Sequence, residues 1–131
     1  MAESTATARS ASSREPLEDG GDGNAFPRML STLTGVGLTQ AQIGEIIGVS
    51  LRTVSGWAAG TAVPAGRRVQ LLLDLRTLVE ELRGTYNEQG IRLWLNARNR
   101  NLDRRRPLDL LLGGDYDQVL VEAVRAGGGG M

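Results

Sequence analysis

From Thr39 to Gly60 the chain reads TQAQIGEIIGVSLRTVSGWAAG, and the order of capping, apolar and small residues admits little besides two short helices joined by a tight turn. Thr39 and Gln42 have the spacing of a capping box, in which the threonine hydroxyl accepts from a free amide of the first turn and the glutamine reaches back. A helix is therefore predicted to begin at Gln40. Ile43 and Ile47 share one face of it, and Gly44, which has no side chain, leaves room for a second helix to cross closely. Gly48 suits the left-handed backbone of a sharp turn, Val49 fills the space between the helices, and Ser50 is a good N-cap for the second one. On that helix Leu51, Val54 and Ala58 recur at helical intervals with Trp57 alongside, which predicts an inward face. Arg52, Ser55, Gly56 and Ala59 are left facing outward, and Gly60 ends the helix.

The rest of the chain divides by composition. Residues 1–24 are rich in Ser, Ala, Thr, Gly and charge, bury too little apolar surface to offset ordering, and are expected to form a disordered tail. Phe26, Met29, Leu30 and Leu33 predict a short helix closing near Gly35 and Gly37. With the helix pair it makes a unit over residues 25–66. A linker containing Pro64 leads to a strong helix from Arg67 to Arg83, so residues 67–84 read as a connecting core helix. Its apolar set is broad: Leu71, Leu75, Leu78 and Leu82 form a stripe that Val69, Leu72, Leu73 and Val79 widen, so more than one side must be covered. A second subunit or the chain's own C-terminal part would serve equally well. Arg67 and Arg68 stand at the start of this helix, where the macrodipole disfavours cations; a DNA phosphate, an acidic partner or plain water would compensate them.

A C-terminal lobe is expected over residues 85–126, followed by a flexible tail at 127–131. In it Ile91, Trp94 and Leu95 share a helix face, Asn96 to Asn101 form a polar loop, and Arg104, Arg105 and Arg106 precede a helix with Pro107 in its first turn. Gly113 and Gly114 stop that helix. Asp115 is placed to cap a last one carrying Tyr116, Val119, Leu120, Ala123 and Val124. The fold class expected is all-α: a small helical bundle with two lobes.

Composition removes most enzyme chemistry. Among the 131 residues there is neither cysteine nor histidine, so thiol nucleophiles, disulfides, zinc sites and a Ser-His-Asp triad are excluded. All of the 15 basic residues are arginine, which rules out a phosphate-binding loop with its lysine and Schiff-base catalysis. No catalytic residue, metal or cofactor is expected. The formal net charge of zero argues against holding DNA by bulk electrostatics alone, so local arginine clusters must carry any such contact. The opening residues lack the apolar core of a signal peptide, and no apolar run approaches a membrane span. A cytoplasmic protein is expected.

The segment from Thr39 to Gly60 resembles the Xre/Cro-type helix-turn-helix family, whose second helix lies in the DNA major groove. The resemblance implies that Arg52, Thr53 and Ser55 read base edges, and that the Ser50 hydroxyl and the Gln40 amide contact phosphates. With one arginine and no Gln or Asn reader on that helix, a single copy should bind its operator weakly. A helix-turn-helix retained only for packing or dimerisation is the alternative.

Further on, IRLWLNARNRNLDRRRPLDLLLGGDYDQVLVEAV resembles the toxin-binding domain of the MbcA/ParS/Xre antitoxin family, through Trp94-Leu95, the Asn-rich loop, Leu102, the basic pair before Pro107, Leu108-Asp109-Leu110-Leu111, the glycine break and the closing amphipathic helix. Many members have a glycine where this chain has Arg104. The resemblance implies a type II antitoxin that occludes a RES-domain, NAD-degrading toxin and regulates its own operon, as a homodimer or a higher complex with the toxin. Arg104, Arg105, Arg106, Pro107, Asp109 and Tyr116 are the candidate toxin contacts, with the arginine triplet offering charge-assisted bidentate bonds. A solvated loop is the plain alternative for the triplet. A stand-alone repressor whose C-terminal lobe only dimerises is the competing function.

Overall fold

The computed structural model describes residues 25–127; the tail expected over residues 1–24 and the last four residues of the chain lie outside them. Seven α-helices follow in order, α1 (Ala25–Gly35), α2 (Gln40–Ile47), α3 (Leu51–Ala59), α4 (Arg67–Arg83), α5 (Glu88–Asn96), α6 (Pro107–Leu112) and α7 (Tyr116–Ala126), with one 3-10 turn at Arg100–Leu102. The described chain is all-α. Apart from an isolated Asn99–Arg105 bridge, no β-structure occurs among the described residues.

Local chemistry sets the ends of α2 and α3. Thr39 Oγ1 accepts from the Gln42 amide at 3.0 Å while Gln42 Oε1 accepts from the Thr39 amide at 3.0 Å, so the capping box is complete. Gly48 closes α2 at φ 91°, and Ser50 caps α3 through the Thr53 amide. Between them Gly44 is buried beneath the turn: a Cβ there would lie 2.7 Å from the Val49 carbonyl oxygen. The two helices cross at this distance because the residue is glycine.

One expectation fails on α3. Leu51 is 52 % exposed, whereas Val54 and Trp57 are buried. Helical periodicity assigns a residue to a stripe, but the stripe need not be covered along its whole length, and at the first turn of α3 the described residues leave Leu51 open.

The long helix α4 organises the rest. It packs against α1 and α2 on one side and α5 and α7 on the other, which accounts for its broad apolar set. Leu72, Leu75, Leu78, Val79 and Leu82 are buried, each leucine contributing roughly 1.5–3 kcal/mol by leaving water. All buried apolar residues, from Met29 to Ala123, belong to one cluster. Arg92 adds a polar tie between the lobes, its Nη2 donating to the Gly35 carbonyl at the end of α1 at 3.1 Å.

Two smaller expectations change in the C-terminal lobe. The polar loop after α5 contains the 3-10 turn, because the Asn99 side chain accepts from the Asn101 amide and winds the backbone. Asp115 stands at the N-cap of α7 but makes no side-chain cap bond; its carboxylate accepts from the Gln118 side chain at 2.6 Å instead.

Candidate nucleic-acid and partner interfaces

The first candidate face is built by α2 and α3. Ser55 Oγ donates to Gln40 Oε1 at 2.7 Å, so two residues fifteen apart in sequence are locked across the helix pair. The bond uses the Gln40 carbonyl and leaves its NH2 group available as a donor. Ser50 and Thr53 share a hydroxyl contact of 3.0 Å at the head of α3, and Arg52 beside them is exposed. Among the described residues Arg52 has no hydrogen bond or ion pair. The residues expected to meet DNA thus include two bonded pairs, Gln40 with Ser55 and Ser50 with Thr53, with Arg52 exposed on the same helix as Thr53 and Ser55 and Leu51 an exposed apolar side chain that periodicity places inward. No acidic residue lies on α3 to oppose a phosphate backbone.

The residues expected to meet a protein partner do not form one patch. Arg106 faces Asp109 in a bidentate pair, with Nε to Oδ2 at 2.9 Å and Nη2 to Oδ1 at 2.7 Å. That hydrogen bond, together with the charges of Arg106 and Arg98, holds the Asp109 carboxyl below its ordinary value, and the same bond raises Arg106. Pro107 is buried at the first turn of α6. Tyr116 lies away from the triplet, half-buried in a cleft of about 450 Å³ between the lobes, with Ile46, Gly48, Arg67, Arg68 and Leu111 around it. Burial, reinforced by the nearby carboxylates of Asp74 and Asp117, pushes its phenol up to about 12.

The turn that carries Arg104 and Arg105 is tightly closed. The Asn99 amide donates to the Arg105 carbonyl at 3.0 Å and the Arg104 amide to the Asn99 carbonyl at 2.9 Å. Arg98 Nη1 reaches the Arg104 carbonyl at 3.2 Å. Inside this clasp Asp103 and Arg104 both have positive φ, 58° and 63°. A left-handed residue other than glycine costs about 1–2 kcal/mol, and aspartate bears it better than arginine does. Arg105 is occupied by the Leu102 carbonyl and by Asp103. Below the turn, Glu122 of α7 is buried and accepts from Asn101 Nδ2 at 2.9 Å. Neither Glu122 nor the Asn99 clasp is evident from periodicity: the Glu122 contact joins residues 21 apart in sequence, and the clasp depends on the backbone conformation of an irregular turn.

The C-terminal lobe exposes apolar side chains, Leu93 of α5 at 64 % and Val121 of α7 at 57 %. Val121 rims a groove of about 300 Å³ with Leu102, Gln118 and Arg125. Among the described residues no group of three or more acidic, histidine or cysteine side chains could hold a metal, and no helix is long and apolar enough to cross a membrane.

The helix-turn-helix family model matches residues 33–75, from α1 into α4. The mycobacterial cidal antitoxins MbcA of Mycobacterium tuberculosis and Mycobacterium bovis are 33 % identical over 96 residues, covering 70 % of this chain and 85 % of theirs. The chain belongs to the MbcA antitoxin family. A second relative from Mycobacterium tuberculosis, named a "Probable mycobacterial cidal antitoxin", is 38 % identical over 91 residues, 70 % of this chain and 77 % of the relative. The fold also matches a chain of the crystal structure of the M. tuberculosis MbcT-MbcA toxin-antitoxin complex, with a TM-score of 0.65 and 29 % identity over 82 % of this chain and 98 % of that one. The likeness to MbcA antitoxins extends through both lobes, well beyond the helix-turn-helix.

Proposed function

We propose that this chain is the antitoxin of a type II pair: its C-terminal lobe binds and occludes a RES-domain, NAD-degrading toxin, and its helix-turn-helix binds the operator of its own operon. The observation that carries the reading is the C-terminal lobe's surface. Leu93 and Val121 stand exposed on the lobe that also carries the exposed Arg104 and Arg105, and neither belongs to its core. Exposed apolar side chains and arginine are what a protein-protein interface draws on, and Val121 shares its groove with Arg125. Inhibition is steric in this reading, with the lobe covering the toxin's cleft. Operator binding falls to Gln40, Ser50, Arg52, Thr53 and Ser55 on the α2–α3 surface. One such surface with a single arginine binds weakly, and a homodimer or a complex with the toxin raises affinity by presenting two copies at once. Residues 25–66 then serve DNA, 85–126 serve the toxin, and 67–84 hold the two together.

The test is co-expression with the RES-domain protein encoded beside this chain. The toxin alone should arrest growth and deplete NAD, and the chain should restore both. Leu93→Asp with Val121→Asp, at exposed positions that leave the core intact, should abolish protection and co-purification while operator binding in a gel shift persists. Full protection by the double variant would remove the interface from this lobe, and a chain that binds operator but no toxin would be a stand-alone repressor.

A further inference from the structure

We infer that Arg104 anchors the toxin, its guanidinium held out on a left-handed turn to meet a carboxylate on the partner's surface. The inference rests on the antitoxin reading and adds which member of the arginine triplet makes the contact and why the backbone there is unusual. Of the three arginines, Arg106 is committed to Asp109 by two short hydrogen bonds, and Arg105 to the Leu102 carbonyl and Asp103. The Arg104 side chain is exposed and has no partner among the described residues.

Its backbone is held on both sides. The Arg104 amide donates to the Asn99 carbonyl, the Arg104 carbonyl accepts from Arg98, and the neighbouring Asn99–Arg105 bond closes the loop. This network keeps Arg104 at φ 63°, a conformation that glycine adopts without strain and arginine does not. The strain is set against no hydrogen bond or ion pair of the guanidinium among the described residues. A contact between molecules compensates it, and a planar guanidinium on a fixed turn suits a bidentate carboxylate. Asp103 beside it is almost fully exposed, with 91 % of its side chain accessible. A protein surface bearing both signs accommodates that carboxylate, whereas the uniformly anionic backbone of DNA does not.

Three variants of the full chain test this, Arg104→Gly, Arg104→Ala and Arg104→Lys, each measured by thermal melting, by affinity for the purified RES-domain toxin and by operator binding. Arg104→Gly should raise the melting temperature by roughly 2–6 °C while weakening toxin binding by about tenfold, two changes of opposite sign that loss of folding cannot produce. Arg104→Ala should weaken binding as much with no such rise, and Arg104→Lys should fall between wild type and Ala. Operator binding should be unchanged throughout. Wild-type affinity in Arg104→Gly, a melting temperature at or below wild type, or a loss confined to operator binding would each overturn the inference. If the wild-type chain itself fails to bind the toxin, the antitoxin reading falls, an outcome distinct from binding that Arg104 does not affect.

Discussion

Ser55 Oγ lies 2.7 Å from Gln40 Oε1, and through this bond the middle of α3 sets the orientation of the first side chain of α2. Ser55 is therefore occupied as a donor, and in the proposed operator-binding surface its part would be to aim the Gln40 amide while its own oxygen remains an acceptor. The two residues should act as a unit. Ser55→Ala and Gln40→Ala are each expected to weaken operator binding by roughly 3- to 10-fold, the range of one lost polar contact, and the double variant should be little worse than either single one. Fluorescence anisotropy with labelled operator measures all three; additive losses would mean that the two side chains contact DNA independently.

Gly44 fixes how closely α2 and α3 cross. A Cβ at this position would meet the Val49 carbonyl oxygen at 2.7 Å and Val54 Cγ2 at 3.4 Å, and the nearer of these is backbone that cannot rotate away. Gly44→Ala should destabilise the chain by about 1–3 kcal/mol, as overpacking does, with a loss of several degrees in melting temperature. Gly56→Ala is the control. Its Cβ would meet only Ala62 Cβ at 3.4 Å and Thr61 Oγ1 at 3.5 Å, so the gain in helix propensity, up to about 1 kcal/mol, should keep its melting temperature at or above wild type.

The contrast between those glycines marks what sequence patterns reveal. The Thr39–Gln42 box, the Gly48 turn, the Ser50 cap and Pro107 at the start of α6 all depend on neighbours within a few residues, and each is found where its spacing predicts. So is the span of α4, whose stripe of leucines is long enough to override local ambiguity. What periodicity cannot supply is how far along an apolar stripe the rest of the fold extends its cover. Leu51 is exposed for that reason. The arginine triplet reads as one basic patch in sequence, yet Arg106 turns to Asp109, Arg105 to Asp103, and Arg104 outward. Tyr116 enters the cleft between the lobes because α7 packs on α4, a relationship between elements that no short motif encodes.

Tyr116 gives the chain a stability change at high pH. Its phenol is pushed up to about 12 in the folded protein, by burial first and then by Asp74 and Asp117, while an unfolded chain releases the proton at about 10. Between those values the unfolded state binds fewer protons, so stability present below pH 10 is lost as pH rises towards 12. Tyr116→Phe should flatten that part of the profile in denaturant melts at a series of pH values. Absorbance titration provides a second check, because the variant leaves Tyr86 as the chain's single tyrosine and the high-pH component should vanish with Tyr116.

Glu122 is the polar anchor of the turn that carries Arg104. Buried at 6 % exposure, it accepts from Asn101 Nδ2 through one oxygen and from Arg125 Nη1 at 3.2 Å through the other. Asn101 is itself tied to Asn99 by the 2.9 Å bond from its amide, and Asn99 holds both Arg104 and Arg105. Removing the carboxylate therefore acts on the whole loop. Glu122→Leu leaves the Asn101 amide group without its acceptor, a loss of about 1–3 kcal/mol, and Glu122→Gln, which retains one acceptor oxygen, should lose less. Because α3 is not part of this chain of contacts, operator affinity should hold while toxin affinity falls. Hydrogen exchange discriminates a loosened loop from general destabilisation: amides over residues 98–106 should lose protection in Glu122→Leu before those of α4. Uniform loss across the protein would show that Glu122 supports only the core and that the turn is held by its own backbone clasp.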